Sequence, residues 1–202
     1  MKSKNRIKVG IVGENIKNDS EALQTLLKSV AAEDVEFTVY PKRFDGGQLD
    51  GDKFFRTLEA ESLFLDWIIL VRDLDGLISD TKKLEIKDLW FNKANKRANN
   101  KGIFFLAIYE MEALILSDIQ KLNEYYDLKL KPVGDPMNKK DPKEYLMKET
   151  AKTQKGKYEP KHAPKIFQIL DFKTIYKNHK GERSFQAFAD DLQTKKLISF
   201  KI

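Results

Sequence analysis

The stretch Trp67-Ile68-Ile69-Leu70-Val71-Arg72-Asp73-Leu74-Asp75-Gly76 decides how the chain is read. Five consecutive apolar residues suit a central strand covered on both faces, and the polar residues after them fall where such a strand leaves its sheet. Related runs lie on either side: Ile7-Lys-Val-Gly-Ile-Val12 bounded by Gly13, Val35 to Tyr40 ending at Pro41, and the continuous run Ile103 to Ile108. Helical spacing separates them. Leu23, Leu26, Leu27 and Val30 follow a cap at Asp19 or Ser20, and a helix at about 52–62 follows the Asp45-Gly-Gly cluster. A polar helix containing Trp90 is expected at about 81–98, and a further one at about 111–125. Four alternations of strand and helix predict an α/β fold, a parallel sheet with helices on both faces.

After Tyr125 the pattern changes. Residues 129–165 are rich in Lys, Pro and Gly, with one helix expected near 142–152. Regular spacing returns at Pro164 to Leu170 and at Ser184 to Leu192, where Phe185, Phe188, Ala189 and Leu192 share a helical face. This divides the chain into a core, 1–125, and a basic, mainly helical C-terminal extension, 126–202, packed on it. The charge divides at the same place. The 202 residues carry a net +6, yet residues 1–125 hold 19 Lys and Arg against 21 Asp and Glu, and residues 126–202 hold 18 against 10. A basic segment beside an acidic one suits a polyanion-binding surface attached to a carboxylate-bearing core. The alternative is a solvated, lysine-rich surface with no ligand.

Composition excludes several classes. Charged residues make up 34% of the chain, but 13 Phe, 7 Tyr and 2 Trp oppose disorder. No apolar run approaches the roughly 20 residues of a membrane helix, and the basic start leads into a strand rather than a signal-peptide core, so neither membrane insertion nor secretion is expected. The absence of cysteine excludes disulfides, thiol catalysis and Cys-based zinc sites. The cytoplasm is the expected location.

In open α/β sheets, ligands bind beyond the carboxyl ends of the strands. Three strand ends here deliver acids: Gly13-Glu14, Asp73-Leu-Asp75, and Tyr109-Glu110-Met-Glu112. Residues two apart on an extended segment point the same way, so alternation is expected to aim Asp73 and Asp75 together while Leu74 turns inward. Converging carboxylates repel unless a cation sits between them, and a hard divalent ion is the natural occupant. With Glu14 the set could hold one or two Mg²⁺ or Mn²⁺. Each acid also has a structural alternative as a turn former, a cap, or a helix N-terminal carboxylate, which suits Glu110 best. Asp118 is read as structural.

These residues resemble the toprim domain of topoisomerases, primases and defence-associated nucleases. A strand ending in Glu, Ile11-Val-Gly-Glu14, is followed by a second strand–helix unit and then by a strand ending in Asp-x-Asp, Leu70-Val-Arg-Asp73-Leu-Asp75. Ile108-Tyr-Glu-Met-Glu112-Ala-Leu-Ile-Leu-Ser-Asp118 is similar to a Glu-Ala-Trp-Leu-Leu-x-Asp segment of small stand-alone toprim proteins of the RloB-like, phage-defence-associated kind, with Leu114 in place of the Trp. Lys157-Tyr-x-Pro-Lys161 and Ser184-Phe-x-x-Phe188 also resemble that group.

The resemblance implies a toprim-like, Rossmann-like core in which Glu14, Asp73 and Asp75 coordinate Mg²⁺, Glu112 completes a second site, and Glu14 serves as general acid or base. No separate domain for a topoisomerase nucleophile or a primase template is expected within these 202 residues, so hydrolysis of DNA or RNA is the expected chemistry. Lys155, Lys157, Lys161, Lys165 and Arg183 would then contact phosphates, with Tyr158 or His162 stacking on bases. The resemblance also implies anti-phage defence with a partner ATPase. A non-catalytic adaptor or sensor binding nucleic acid or protein is the other reading. A receiver-like or nucleotide-binding domain ranks last, because Gly10-x-x-Gly13 is too short for a glycine-rich phosphate loop.

Overall fold

A computed structural model describes residues 6–39, 44 and 46–201, so Tyr40, Pro41 and Asp45 of the expected strand end and turn lie outside the described residues. Four strands, β1 (Ile7–Val12), β2 (Val35–Val39), β3 (Trp67–Asp73) and β4 (Gly102–Ala107), form one sheet in the order β2-β1-β3-β4 with every pair parallel. Side-chain alternation sorts the apolar runs onto two faces. Ile69 and Val71 join Val9, Ile11, Ile103 and Phe105 on one face, whereas Ile68 and Leu70 join Val12, Leu106 and Ile108 on the other.

Helix α1 (Ala22–Lys28) covers the first face with Leu23, Leu26 and Leu27, and α2 (Asp52–Ser62) and α3 (Thr81–Arg97) cover the second with Phe54, Leu58, Trp90 and Phe91. The connections from β1 and β3 therefore leave on opposite faces and run to opposite edges. The crevice between the carboxyl ends of β1 and β3 is the switch point at which such sheets take their ligands.

The helix expected at 111–125 is two helices, α4 (Glu112–Leu116) and α5 (Ile119–Tyr126). Asp118 breaks it: its carboxylate accepts from the backbone N–H of Lys121 at 3.3 Å, capping α5, and from that of Asp171 at 2.9 Å. That structural role agrees with the sequence reading. Beyond Tyr126 follow α6 (Pro142–Thr150), α7 (Ala163–Phe167), α8 (Phe172–Asn178) and α9 (Phe185–Thr194), of which α8 carried no recognised pattern. Leu146, Ile166, Phe167, Phe172, Phe185 and Phe188 belong to the same core as Val9 and Ile69. Among the described residues no helix is long and apolar enough to cross a membrane.

Phe185 shows how closely sheet and tail are joined, with its ring 6.0 Å from that of Phe105 on β4 and 5.2 Å from that of Phe172. Phe185→Ala is expected to cost about 3–5 kcal/mol, read from urea unfolding. Because both parts share one core, Trp fluorescence and far-ultraviolet circular dichroism should report a single transition; two separate transitions would contradict the shared core.

Candidate functional site

Gly13 ends β1, and its missing side chain is what lets the site form. A Cβ there would stand 2.5 Å from the Cβ of Asp19, closer than packed atoms approach. Beyond Glu14, residues Ile16–Glu21 make a π-helical turn, a form that recurs at functional sites. Asn15 caps it, accepting from the backbone N–H groups of Lys17 at 3.0 Å and Asn18 at 2.9 Å. Asp19, expected as a helix cap, instead lies buried inside the turn. Its Oδ2 accepts from the backbone N–H of Asn15 at 2.7 Å, while its Oδ1 is buried without a partner.

Asp73, the last residue of β3, has the same defect. The residue as a whole is half-buried, but its Oδ1 is inaccessible and unpartnered, and the atom's own surroundings set the electrostatics. Burial pushes its carboxyl well above the usual carboxylate range, and the charges of Asp19, Glu14, Glu112 and Asp75 push it further. Burial likewise raises Asp19 to about 7, helped by the charges of Glu112 and Glu14 and opposed by the Asn15 N–H.

Glu112, in the first turn of α4, is 1% exposed. Its Oε1 accepts from the Tyr158 hydroxyl at 3.0 Å, and its Oε2 faces the Asn18 amide at 3.4 Å. Burial and Glu110 raise its pKa, and these two bonds oppose the rise. Glu110 has a different fate, taken by Lys143 in an ion pair.

Glu14 stands among cations. Arg72 Nε donates to its Oε1, and Lys87 Nζ lies 3.1 Å from the same oxygen. Arg72 also holds Asp50 at 3.0 Å and lies over the Trp90 ring at 4.6 Å. Asp75 is exposed, with φ 55°, so the strand ends at Asp73 and the expected alternation does not extend to it. Its Oδ2 lies 3.9 Å from Lys87 Nζ. Leu74 turns inward as expected and is fully buried.

The basic residues are divided. Lys157 and Lys165 are exposed, Lys155 Nζ lies over the Tyr125 ring at 3.9 Å, and Lys161 pairs with Glu159 at 2.7 Å. Arg183 makes a bidentate pair with Asp88 of α3, at 2.7 and 2.8 Å. Tyr158 is fully buried, so the expectation that it stacks on a base is corrected: its ring fills the core and its hydroxyl serves Glu112.

Thus Asp73, Glu112, Glu14 and Asp75 gather around the switch point, joined by Asp19, which the sequence reading missed. Among the described residues no group of three or more His, Cys, Asp or Glu side chains is set for metal ligation. The fit to a divalent cation rests instead on the two unpartnered oxygens of Asp19 and Asp73. Mg²⁺ commonly uses one or two carboxylates, retaining waters and taking the rest of its ligands from substrate phosphate, and two unpartnered carboxylate oxygens are donors of the type it takes. No protein-family model, curated protein or solved structure matches the chain, so the toprim resemblance rests on its own residues.

Asp19 sets a pH dependence in chelator-treated protein. Its proton is retained to about 7 in the folded chain against 3.8 in the open one, so its contribution is full below pH 4 and is lost as pH rises toward 7. The loss is on the order of 4 kcal/mol at about 1.4 kcal/mol per unit. His179, pushed down to about 4 by burial, acts in the opposite sense, so the difference between wild type and Asp19→Asn is the quantity to read. Urea midpoints should show the variant gaining on the wild type from pH 4.5 to 7.5.

Proposed function

We propose that the chain is a Mg²⁺- or Mn²⁺-dependent phosphodiesterase of toprim type acting on DNA or RNA. The observation that carries this reading is the pair of buried, unpartnered carboxylate oxygens on Asp19 and Asp73 at the β1/β3 switch point. A phosphodiester anion needs its charge neutralised before a water or hydroxide can attack it. Asp19 and Asp73 would hold the ion, which when bound supplies Lewis-acid polarisation of a phosphodiester oxygen.

The remaining groups have separate tasks. Glu112, kept dry by Tyr158 and Asn18, adds negative potential behind the two ligands without being spent on a cation. Glu14 holds Lys87 and Arg72 at the rim as an ion-paired cluster. Asp75 is exposed at the mouth, where a carboxylate can orient the attacking water. Exposed Lys157 and Lys165 in the tail supply phosphate contacts that carry no sequence information. Anti-phage defence with a partner ATPase is what the toprim resemblance adds.

One observation favours the adaptor reading: Glu14 already has two cationic partners and so has no need of a metal ion. Incubation with supercoiled plasmid and labelled RNA in Mg²⁺ or Mn²⁺ separates the two. Cleavage by the wild type should fall at least about 100-fold in Asp73→Asn and Asp19→Asn, more than changes around the ligands commonly cost. Equal rates for all three proteins would sink the assignment. Salt-sensitive binding without cleavage, unchanged by Asp73→Asn or by chelator, would establish the adaptor.

A further inference from the structure

Two side chains from different thirds of the molecule meet behind the acidic crevice. Tyr158 comes from the Lys-rich segment after α6, and Asn18 from the π-helical turn of the core. The Tyr158 hydroxyl lies 3.0 Å from Glu112 Oε1 and 3.3 Å from Asn18 Oδ1, and Asn18 Nδ2 reaches Glu112 Oε2 at 3.4 Å. All three side chains are buried, Tyr158 and Glu112 at 1% exposure or less. Asn18 immediately precedes Asp19 in the π-helical turn, so anchoring Asn18 anchors the backbone from which Asp19 projects, while the Asn15 N–H holds the Asp19 carboxylate at 2.7 Å.

Tyr158 is itself held. Its backbone N–H donates to Thr150 Oγ1 at 2.7 Å, and that hydroxyl donates to the Leu146 carbonyl at 2.7 Å, so the end of α6 clamps the tyrosine. At its other end α6 is tied to the same site through Lys143 and Glu110. The tail thus grips the segment after β4 at two points, by a cation on Glu110 in the loop and by a neutral phenol on Glu112 at the start of α4. A cation at the second point would cancel Glu112's share of the negative potential at Asp19; a phenol fixes the carboxylate and leaves its charge in place.

We infer that Tyr158 is a positioning residue of the acidic site: through Glu112 and Asn18 its hydroxyl holds the π-helical turn in the conformation that presents Asp19 to a divalent cation. This deepens the proposed function and rests on it. Tyr158→Phe removes one oxygen and keeps the buried ring, which isolates the hydroxyl from the packing. Outer partners of this kind commonly change metal affinity by about 10- to 100-fold.

The test is calorimetric titration of the full chain with Mn²⁺ alone, together with amide hydrogen exchange of residues 16–21 in metal-free protein. Tyr158→Phe should weaken Mn²⁺ binding about tenfold or more and speed exchange in the turn. Phe185→Ala, which loosens the same core without touching the network, should leave the affinity within about twofold. Should Tyr158→Phe fail to fold, Asn18→Ala removes the other side of the network and is expected to weaken Mn²⁺ binding comparably. Wild-type binding that Tyr158→Phe or Asn18→Ala leaves unchanged overturns the positioning role alone. A wild-type chain that takes no Mn²⁺ overturns the metal-dependent reading of the site and the positioning role with it.

Discussion

Burial of the Asp19 and Asp73 carboxyls without a counter-charge is the constraint around which the carboxyl edge of the sheet is arranged. A desolvated carboxylate with an unpartnered oxygen and no counter-charge is unstable as an anion, which favours uptake of a proton or a cation. Two of the nearby cations are already placed elsewhere. Arg72 lies between the Trp90 ring and the Glu14 and Asp50 carboxylates, and Lys87 bridges toward Glu14 and Asp75. The site is therefore layered: an ion-paired rim around Glu14, and behind it an acidic interior of Asp19, Asp73 and Glu112 that no side-chain cation among the described residues neutralises.

Backbone geometry maintains that layering. Gly13 lets the π-helical turn close onto the end of β1, and the turn carries Asp19 inward where a regular helix would have carried it along its flank. The parallel order β2-β1-β3-β4 then places Glu14 and Asp73 on adjacent strands at one edge. Helix α4 brings in Glu112 from the next strand end, and its five residues are all buried, so that carboxylate has no route to solvent. Sheet topology supplies the proximity; the short, irregular elements supply the desolvation.

Much of this was legible in the sequence because it follows from local period. The strands appear as short apolar runs, their two-residue alternation forecasts two cores, and the acids at their ends follow from where ligands bind in such sheets. What escaped depends on contacts distant in sequence or on irregular backbone. A π-helical turn leaves no 3.6-residue signature, so Asp19 read as a cap. The left-handed Asp75 ended an alternation that sequence alone would extend. Tyr158 sits among lysines and reads as exposed, whereas its ring is buried in the shared core and its hydroxyl meets Glu112, 46 positions earlier, and Asn18, 140 positions earlier. Helix α8 was missed because its apolar residues, Phe172, Ile175 and Tyr176, span too short a segment to establish a period.

The division between an acidic core and a basic tail also acquires a physical meaning. The tail is no separate basic module, because its apolar residues complete the core that Val9 and Ile69 begin, and its lysines are the outward remainder of helices that point inward. Its effect on the site is selective rather than general. Of two glutamates only two residues apart, the tail neutralises Glu110 with Lys143 and merely orients Glu112 with Tyr158. Had both been met by lysine, Glu112's share of the charge that weighs on Asp19 would be cancelled, and with it part of the field proposed to draw in a cation. Had neither been met, Glu112 would be a buried carboxylate without donors and would swing or protonate. A neutral donor is the arrangement that keeps Glu112 fixed, ionisable and available to reinforce the field at Asp19 and Asp73.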